Sequence, residues 1–410
     1  MCGIISVESM RALAGNKRYV GGDISLLPVY EDAGAKYIDH DGKPIADLIP
    51  FLKNEGMNAM RVRVFVNPSD YAEEDADPNA CQTIESVIPL CKRIKQAGMA
   101  LLLDFHYSDT WADPAQQFTP KEWADLTDKE LCDEIYRYTR GSLMKLKEEG
   151  IMPDFIQPGN EISYGMLWGP VGTPESEQKK TFLGSDANWD RLGNLLRNAV
   201  KGCREVCPNA GIVLHTERTA DVEVQDNFYS RMGEMNIDYD IIGLSYYPYF
   251  HGPLTSLENA ILSLESKFKD KEIMVVETGY SYKWEVPGTS QPVNYPYSED
   301  GQNQFTEDLV DMLRKHERVE GLFWWWLEYN AYGTALSGWY NAPLFDSTSG
   351  KALSALKTLC SFASDGTGVV AISPDKADGD ILYDLTGKMI NSPSKGVYLS
   401  LKKRKGVVIK

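Results

Sequence analysis

The 410-residue sequence predicts an α/β fold, a (β/α)8 TIM barrel followed by a small C-terminal β-rich appendage. Three observations predict it. Eight short apolar segments alternate with longer amphipathic ones. Several amphipathic stretches close on glycine just before the next apolar segment, as "LKNEG" and "KQAG" do, which is common helix C-terminal chemistry. No GxGxxG follows the first apolar segment, so a dinucleotide-binding open sheet has little support.

The eight strands are expected at 18–25, 57–65, 99–107, 153–161, 211–216, 240–247, 272–277 and 321–326. Helix-like stretches between them include 79–97, 121–149, 188–206, 253–269 and 300–317. Residues 1–17 form an N-terminal extension, 18–362 the barrel and 363–410 the appendage. The appendage differs in texture: residues 361–410 hold eight Lys or Arg and five Asp, 8 − 5 = +3, in a chain whose total is 42 − 59 = −17.

That acidic balance argues against nucleic-acid binding through a basic surface and suits a neutral or cationic substrate. At 43% hydrophobic residues the chain can bury a large core, yet no run of 18 apolar residues offers a membrane span. The seven cysteines include no CxxC pair, so zinc and thioredoxin-like readings are weak. No Asp-x-Asp-x-Asp-like ligand set stands out, and neither a metal nor a cofactor is expected. The start "MCGIISVESM" lacks a basic segment and a long apolar run, so it is no signal peptide; Met1-Cys2 also fits the remnant of a lipoprotein cleavage site.

In a (β/α)8 barrel, chemistry gathers at the C-terminal ends of the strands. Strand one ends near Asp23, and strand two near Arg63. Strand three delivers Asp104, His106 and Trp111, and strand four delivers Asn160 and Glu161 in "FIQPGNE". Strand five ends at His215, strand six at Tyr246 and Tyr247, strand seven at Glu277 in "EIMVVE", and strand eight in Trp324, Trp325 and Trp326. Two carboxylates with aromatic walls point to glycoside hydrolysis. With retention, one acid protonates the leaving oxygen and a second carboxylate, about 5–5.5 Å away, attacks the anomeric carbon. One must hold its proton near neutral pH while the other is ionised. Aromatic rings cover the apolar faces of sugars. Arg61 is assigned to the face of strand two opposite Arg63.

The motifs "GGDISLLPVYEDAGAKYIDHDG", "GMNAMRVRVFVNP", "LLLDFHYSDTWADP", "FIQPGNEI", "IGLSYYPYFHG", "VVETGY" and "GWYNAPLFD" follow one another in register over about 18–360. In this the chain resembles glycoside hydrolase family 53, the endo-β-1,4-galactanases. The resemblance implies a general acid/base at Glu161 and a nucleophile at Glu277. It implies that Asn160 binds a sugar 2-hydroxyl and that Arg63 and Tyr246 orient the nucleophile. It further implies that Asp104, His106, Trp111 and His215 line substrate subsites, with Asp23 at the rim and Trp325 as the sugar platform. The strand-eight run "FWWWLEYNAYG" departs from the family's aromatic-Trp-Glu-Pro, which leaves the platform open among Trp324, Trp325 and Trp326. The expected partner is a β-1,4-galactan met outside the cell or at its surface by a monomeric enzyme. A same-clan enzyme acting on mannan or xylan, and a non-catalytic sugar-binding barrel, are the alternatives. The tail resembles sorting segments of secreted bacterial proteins; a plain β appendage is the other reading.

Overall fold

The computed structural model describes residues 18–70, 77–182, 188–329 and 342–364, together with five strands between 369 and 409. The expectations placed on residues 1–17, and on Cys2, lie outside the described residues. The chain divides into two compact units, Met1–Phe362 and Ala363–Lys410.

The first unit is built on eight parallel strands: β1 (Tyr19–Gly22), β2 (Ala59–Val64), β3 (Ala100–Phe105), β4 (Phe155–Pro158), β5 (Gly211–Thr216), β6 (Ile241–Tyr246), β7 (Glu272–Thr278) and β8 (Val319–Trp324). Their order is β1-β8-β7-β6-β5-β4-β3-β2. The parallel bridge Asp23–Arg61 and the bond from Ile24 N to Arg61 O (3.1 Å) draw β1 towards β2 and close the TIM barrel. The strands are buried on both faces, which is why they read as near-continuous apolar runs. β8 begins two residues earlier than the expected segment, because Val319 already pairs with Ile273 of β7.

Helices link the strands and start on defined signals. Thr83 and Ser86 form a reciprocal capping box ahead of Ile84–Gln96, as Thr127 and Glu130 do ahead of Asp128–Glu148. Gly56, at φ 118°, ends Leu48–Glu55 in a left-handed turn that a side chain would strain. The helix Val222–Glu234, between β5 and β6, was not among the stretches named from sequence.

Side chains of alternate strand residues fill the barrel. Its N-terminal half is apolar, with Ala59, Leu102, Phe155, Val213, Ile241, Met274 and Phe323 packed together. The layer above is polar and mostly charged: Arg61, Arg63 and Asp104, with the imidazole of His215, are all fully buried. A buried charge needs a partner, so this layer must be an ion-pair network.

The second unit holds β9 (Val369–Ile372), β10 (Leu382–Tyr383), β11 (Met389–Ile390), β12 (Gly396–Ser400) and β13 (Lys405–Ile409) in one sheet ordered β11-β10-β12-β13-β9. β12 and β13 run antiparallel, and β13 pairs with β9 in parallel.

Candidate active site

A cleft of about 880 Å³ opens at the C-terminal ends of the strands and is lined by Glu161 and Glu277 together. Each glutamate is aimed there by a local irregularity. Beyond β4, Gly159 turns at φ 101° and Glu161 itself sits at φ 49°, so the chain leaves the strand and swings the carboxylate over the barrel. On β7, Met274 and Val276 both belong to the apolar barrel filling. Simple alternation would send Glu277 outward, but the ladders to β6 and β8 shift register here and Glu277 stands opposite Ser245.

The two carboxyl groups have different partners. Arg61 Nη2 forms an ion pair with Glu277 Oε1 at 2.9 Å, and the Tyr247 hydroxyl donates to Oε2 at 3.1 Å. Burial lifts Glu277 to about 7; the Arg61 guanidinium pulls it down, while Asp104 and Asp23 push it up. Among the described residues Glu161 forms no ion pair; the Ser245 hydroxyl donates to its Oε1 at 2.6 Å. Burial, the charge of Glu277 and that of Glu217 hold Glu161 well above the usual carboxylate range. The cleft therefore contains one carboxyl group matched to a cation and one whose protonated form is favoured by burial and by the neighbouring acids.

A network beneath the cleft fixes this difference. Arg61 donates to Asp104 Oδ2 and to Asn160 Oδ1, each at 2.8 Å, and lies 3.4 Å from Asp23 Oδ2. Burial pulls the Arg61 proton affinity down, but Asp104, Glu277 and Asp23 outweigh it and keep the guanidinium charged. Arg63 pairs with Asp23 Oδ1 at 2.6 Å and lies against the rings of Trp111 and Trp326. His106 Nε2 meets Asp104 at 3.1 Å while its Nδ1 accepts from Ala112 N, which ties the loop after β3 to the barrel. Asn160 anchors the same loop by donating one amide hydrogen to Ala112 O at 2.8 Å.

Of the residues named from sequence, His106, Trp111, Asn160, Glu161, Glu277 and Trp325 line the cleft. Asp23, Arg63, Asp104, His215 and Tyr246 do not: they are buried behind its surface. The resemblance implies subsite roles for Asp104 and His215 and nucleophile-orienting roles for Arg63 and Tyr246; in the structure each is committed to a bond inside the barrel wall or its charged layer. Tyr246 points outward and donates to Gly252 O at 2.7 Å, and its neighbour Tyr247 reaches Glu277 instead. The placement of Arg61 opposite Arg63 is corrected. Residues two apart on a strand share a face, and it is Arg61, the deeper of the two, that meets Glu277.

Trp324 is fully buried and donates to Ala342 O, whereas Trp325 is half-buried and faces the cleft. Trp326 is 5% exposed and stacks on Trp111 at 6.1 Å. Sequence reasoning gave no site role to Arg61, Tyr247, Ser245 or Glu217. Glu217 lies two residues beyond His215, lines the cleft, bonds the Ser163 hydroxyl at 2.7 Å and is raised to about 7 by burial. Parity along the strand could have found all four.

The family model "Glycosyl hydrolase family 53" matches residues 19–359. Arabinogalactan endo-β-1,4-galactanase A of Aspergillus niger is 32% identical over 331 residues, covering 77% of this chain and 88% of the relative. An arabinogalactan endo-β-1,4-galactanase of Thermothelomyces thermophilus is 33% identical, covering 82% of this chain and 97% of the relative. Among solved structures, a catalytic domain of the same family from Ignisphaera aggregans superposes with a TM-score of 0.72 at 32% identity, covering 84% of this chain and 95% of that one. A cleft with two differently partnered glutamates on β4 and β7, on a barrel that matches over its whole length, thus has one home: the chain belongs to glycosyl hydrolase family 53.

Proposed function

We propose that the protein is a retaining endo-β-1,4-galactanase acting on the galactan side chains of pectic polymers, with Glu161 as acid/base and Glu277 as nucleophile. The observation that carries this reading is the contrast between the two carboxyl groups, Glu277 paired with the Arg61 guanidinium and Glu161 with the Ser245 hydroxyl. The galactanase names of the relatives supply the substrate class.

The ionised Glu277 attacks the anomeric carbon while Glu161 gives its proton to the departing glycosidic oxygen, leaving a covalent galactosyl-enzyme. As Glu277 is consumed its charge disappears, and Glu161 becomes easier to ionise. It then takes a proton from water, the water attacks the anomeric carbon, and Glu277 is released as carboxylate. Asn160 keeps one amide hydrogen beyond its bond to Ala112, placed for the sugar 2-hydroxyl. Trp325 is the platform under the reacting sugar, because Trp324 is fully enclosed and Trp326, 5% exposed, is stacked on Trp111.

A polymer of this kind is met outside the cell, so we place the enzyme there or at the cell surface. Among the described residues no helix is long and apolar enough to cross a membrane. Hydrolysis of linear β-1,4-galactan, xylan and mannan, followed by product sizing, tests the assignment. Oligogalactosides from galactan alone are expected. Faster cleavage of xylan or mannan would overturn the substrate, and sugar binding without reducing-end release would overturn the enzyme.

A further inference from the structure

The proton of the proposed acid/base can be assigned to one oxygen. Ser245 Oγ sits 2.6 Å from Glu161 Oε1 and 2.8 Å from His215 Nε2. A hydroxyl has one hydrogen, so it donates to only one of these. The imidazole decides which. The Glu161 backbone N–H points at His215 Nδ1 (3.3 Å), and Gln157 Nε2 lies 3.1 Å from the same nitrogen. Burial holds His215 well below its ordinary value, so the ring is neutral with a single hydrogen. A nitrogen accepting a backbone N–H carries none, which puts the hydrogen on Nε2. Asn160 Oδ1, 2.9 Å from Nδ1, is satisfied instead by Arg61.

The bonds therefore run in a closed circuit: Glu161 N–H to His215 Nδ1, His215 Nε2–H to Ser245 Oγ, and Ser245 O–H back to Glu161 Oε1. Ser245 and His215 are both fully buried, so water does not compete. The circuit ties the side chain of Glu161 to its own backbone, at the residue whose φ is 49°.

We propose that Ser245, backed by His215, is the positioning residue of the acid/base, reserving Oε1 of Glu161 as an acceptor so that Oε2 carries and delivers the proton. The inference rests on the role given to Glu161 above. The other groups facing this carboxyl are Glu277 from β7, Glu217 beyond β5, Asp113 after β3 and Tyr247 from β6. The three acids oppose its ionisation, and the Ser245 hydroxyl favours it.

The test compares Ser245→Ala, Ser245→Thr and Ser245→Cys with wild type on two substrates: galactan, whose leaving alkoxide needs a proton, and a dinitrophenyl β-galactobioside, whose leaving group does not. Ser245→Ala is expected to lose about 10²-fold in kcat on galactan. Bond cleavage in the activated glycoside, read from the burst, should change less than about threefold, since only general-acid assistance is removed. The alkaline limb of kcat/KM should move up, because the donor that favoured the carboxylate is gone. Ser245→Thr, which keeps the hydroxyl, should restore galactan activity, and Ser245→Cys covers the case in which the alanine variant does not fold. Equal losses on both substrates, or no loss on galactan in a folded variant, would overturn the proposal. If wild type prefers another β-glycan, the galactan assignment fails, and the same pair of substrates made from that sugar still reads Ser245.

Discussion

Arg61 Nη2 lies 2.9 Å from Glu277 Oε1, in a layer of the barrel where both Arg61 and Asp104 are fully enclosed. One guanidinium thereby binds the proposed nucleophile, Asp104 and Asn160 together. It holds Glu277 in place and opposes the effect of burial on its ionisation.

Arg61→Lys should accordingly weaken the enzyme through pH as well as rate. Lysine keeps the charge but cannot span three acceptors. Loss of preorganised electrostatics of this kind costs about 10²–10³ in kcat. With less support for the carboxylate, the acid limb of the kcat/KM profile should move up from its wild-type position, set by a group at about 7. Arg63→Lys, which alters a pair with Asp23 and a stack on Trp111, should leave that limb where it is. Titrating both variants on galactan checks this.

The adjacent tyrosines should separate cleanly. Tyr247→Phe removes the hydroxyl on Glu277 and should lower kcat about tenfold, roughly the worth of one hydrogen bond to a charged group. Tyr246→Phe leaves the buried Gly252 carbonyl without its donor and should cost about 1 kcal/mol of stability with little change in kcat. Kinetics and thermal melts on the same two preparations distinguish the effects.

Glu161 should make the fold less stable in base. A carboxyl group whose folded value lies above its unfolded one contributes stability that is complete below the unfolded value and lost as pH rises through the folded one. Glu161 is raised well above 4.5, so the loss falls between that pH and its folded value. Glu161→Gln, neutral throughout and still able to accept from Ser245, should melt higher than wild type at pH 8 to 9. The gain corresponds to about 1.4 kcal/mol for each unit of the shift that has been titrated. Below about pH 4, near the reference value of a free glutamate, the two proteins should converge. Melting curves across this range check the sign.

Much of this architecture was legible in the sequence because barrel strands and their helix caps are local features. The run "MALLLDF" and the glycine after "LKNE" each announce an element without reference to the rest of the chain. The start of β8 was not legible, since Val319 joins the strand only by pairing with Ile273 of β7. In the site, acids and aromatics at strand ends stood out, which brought Glu161, Glu277 and Trp325 to notice. Depth did not. Asp104 and His215 look like rim residues until Arg61 and Gln157 are seen to consume them. Telling Tyr247 from Tyr246 requires strand parity. Parity then misleads at Glu277, where the register shift decides the direction, and no single residue announces that shift.

The assignment of roles to Glu161 and Glu277 is tested most directly by azide rescue of the two alanine variants on a dinitrophenyl β-galactobioside, with the anomer of the product read by NMR. Glu277→Ala should yield the α-glycosyl azide, because azide takes the nucleophile's place in a single displacement. Glu161→Ala should yield the β-glycosyl azide, because azide attacks the covalent intermediate still formed on Glu277. Exchange of the two anomers between the variants, or wild-type galactan hydrolysis by Glu277→Ala without azide, would contradict the account.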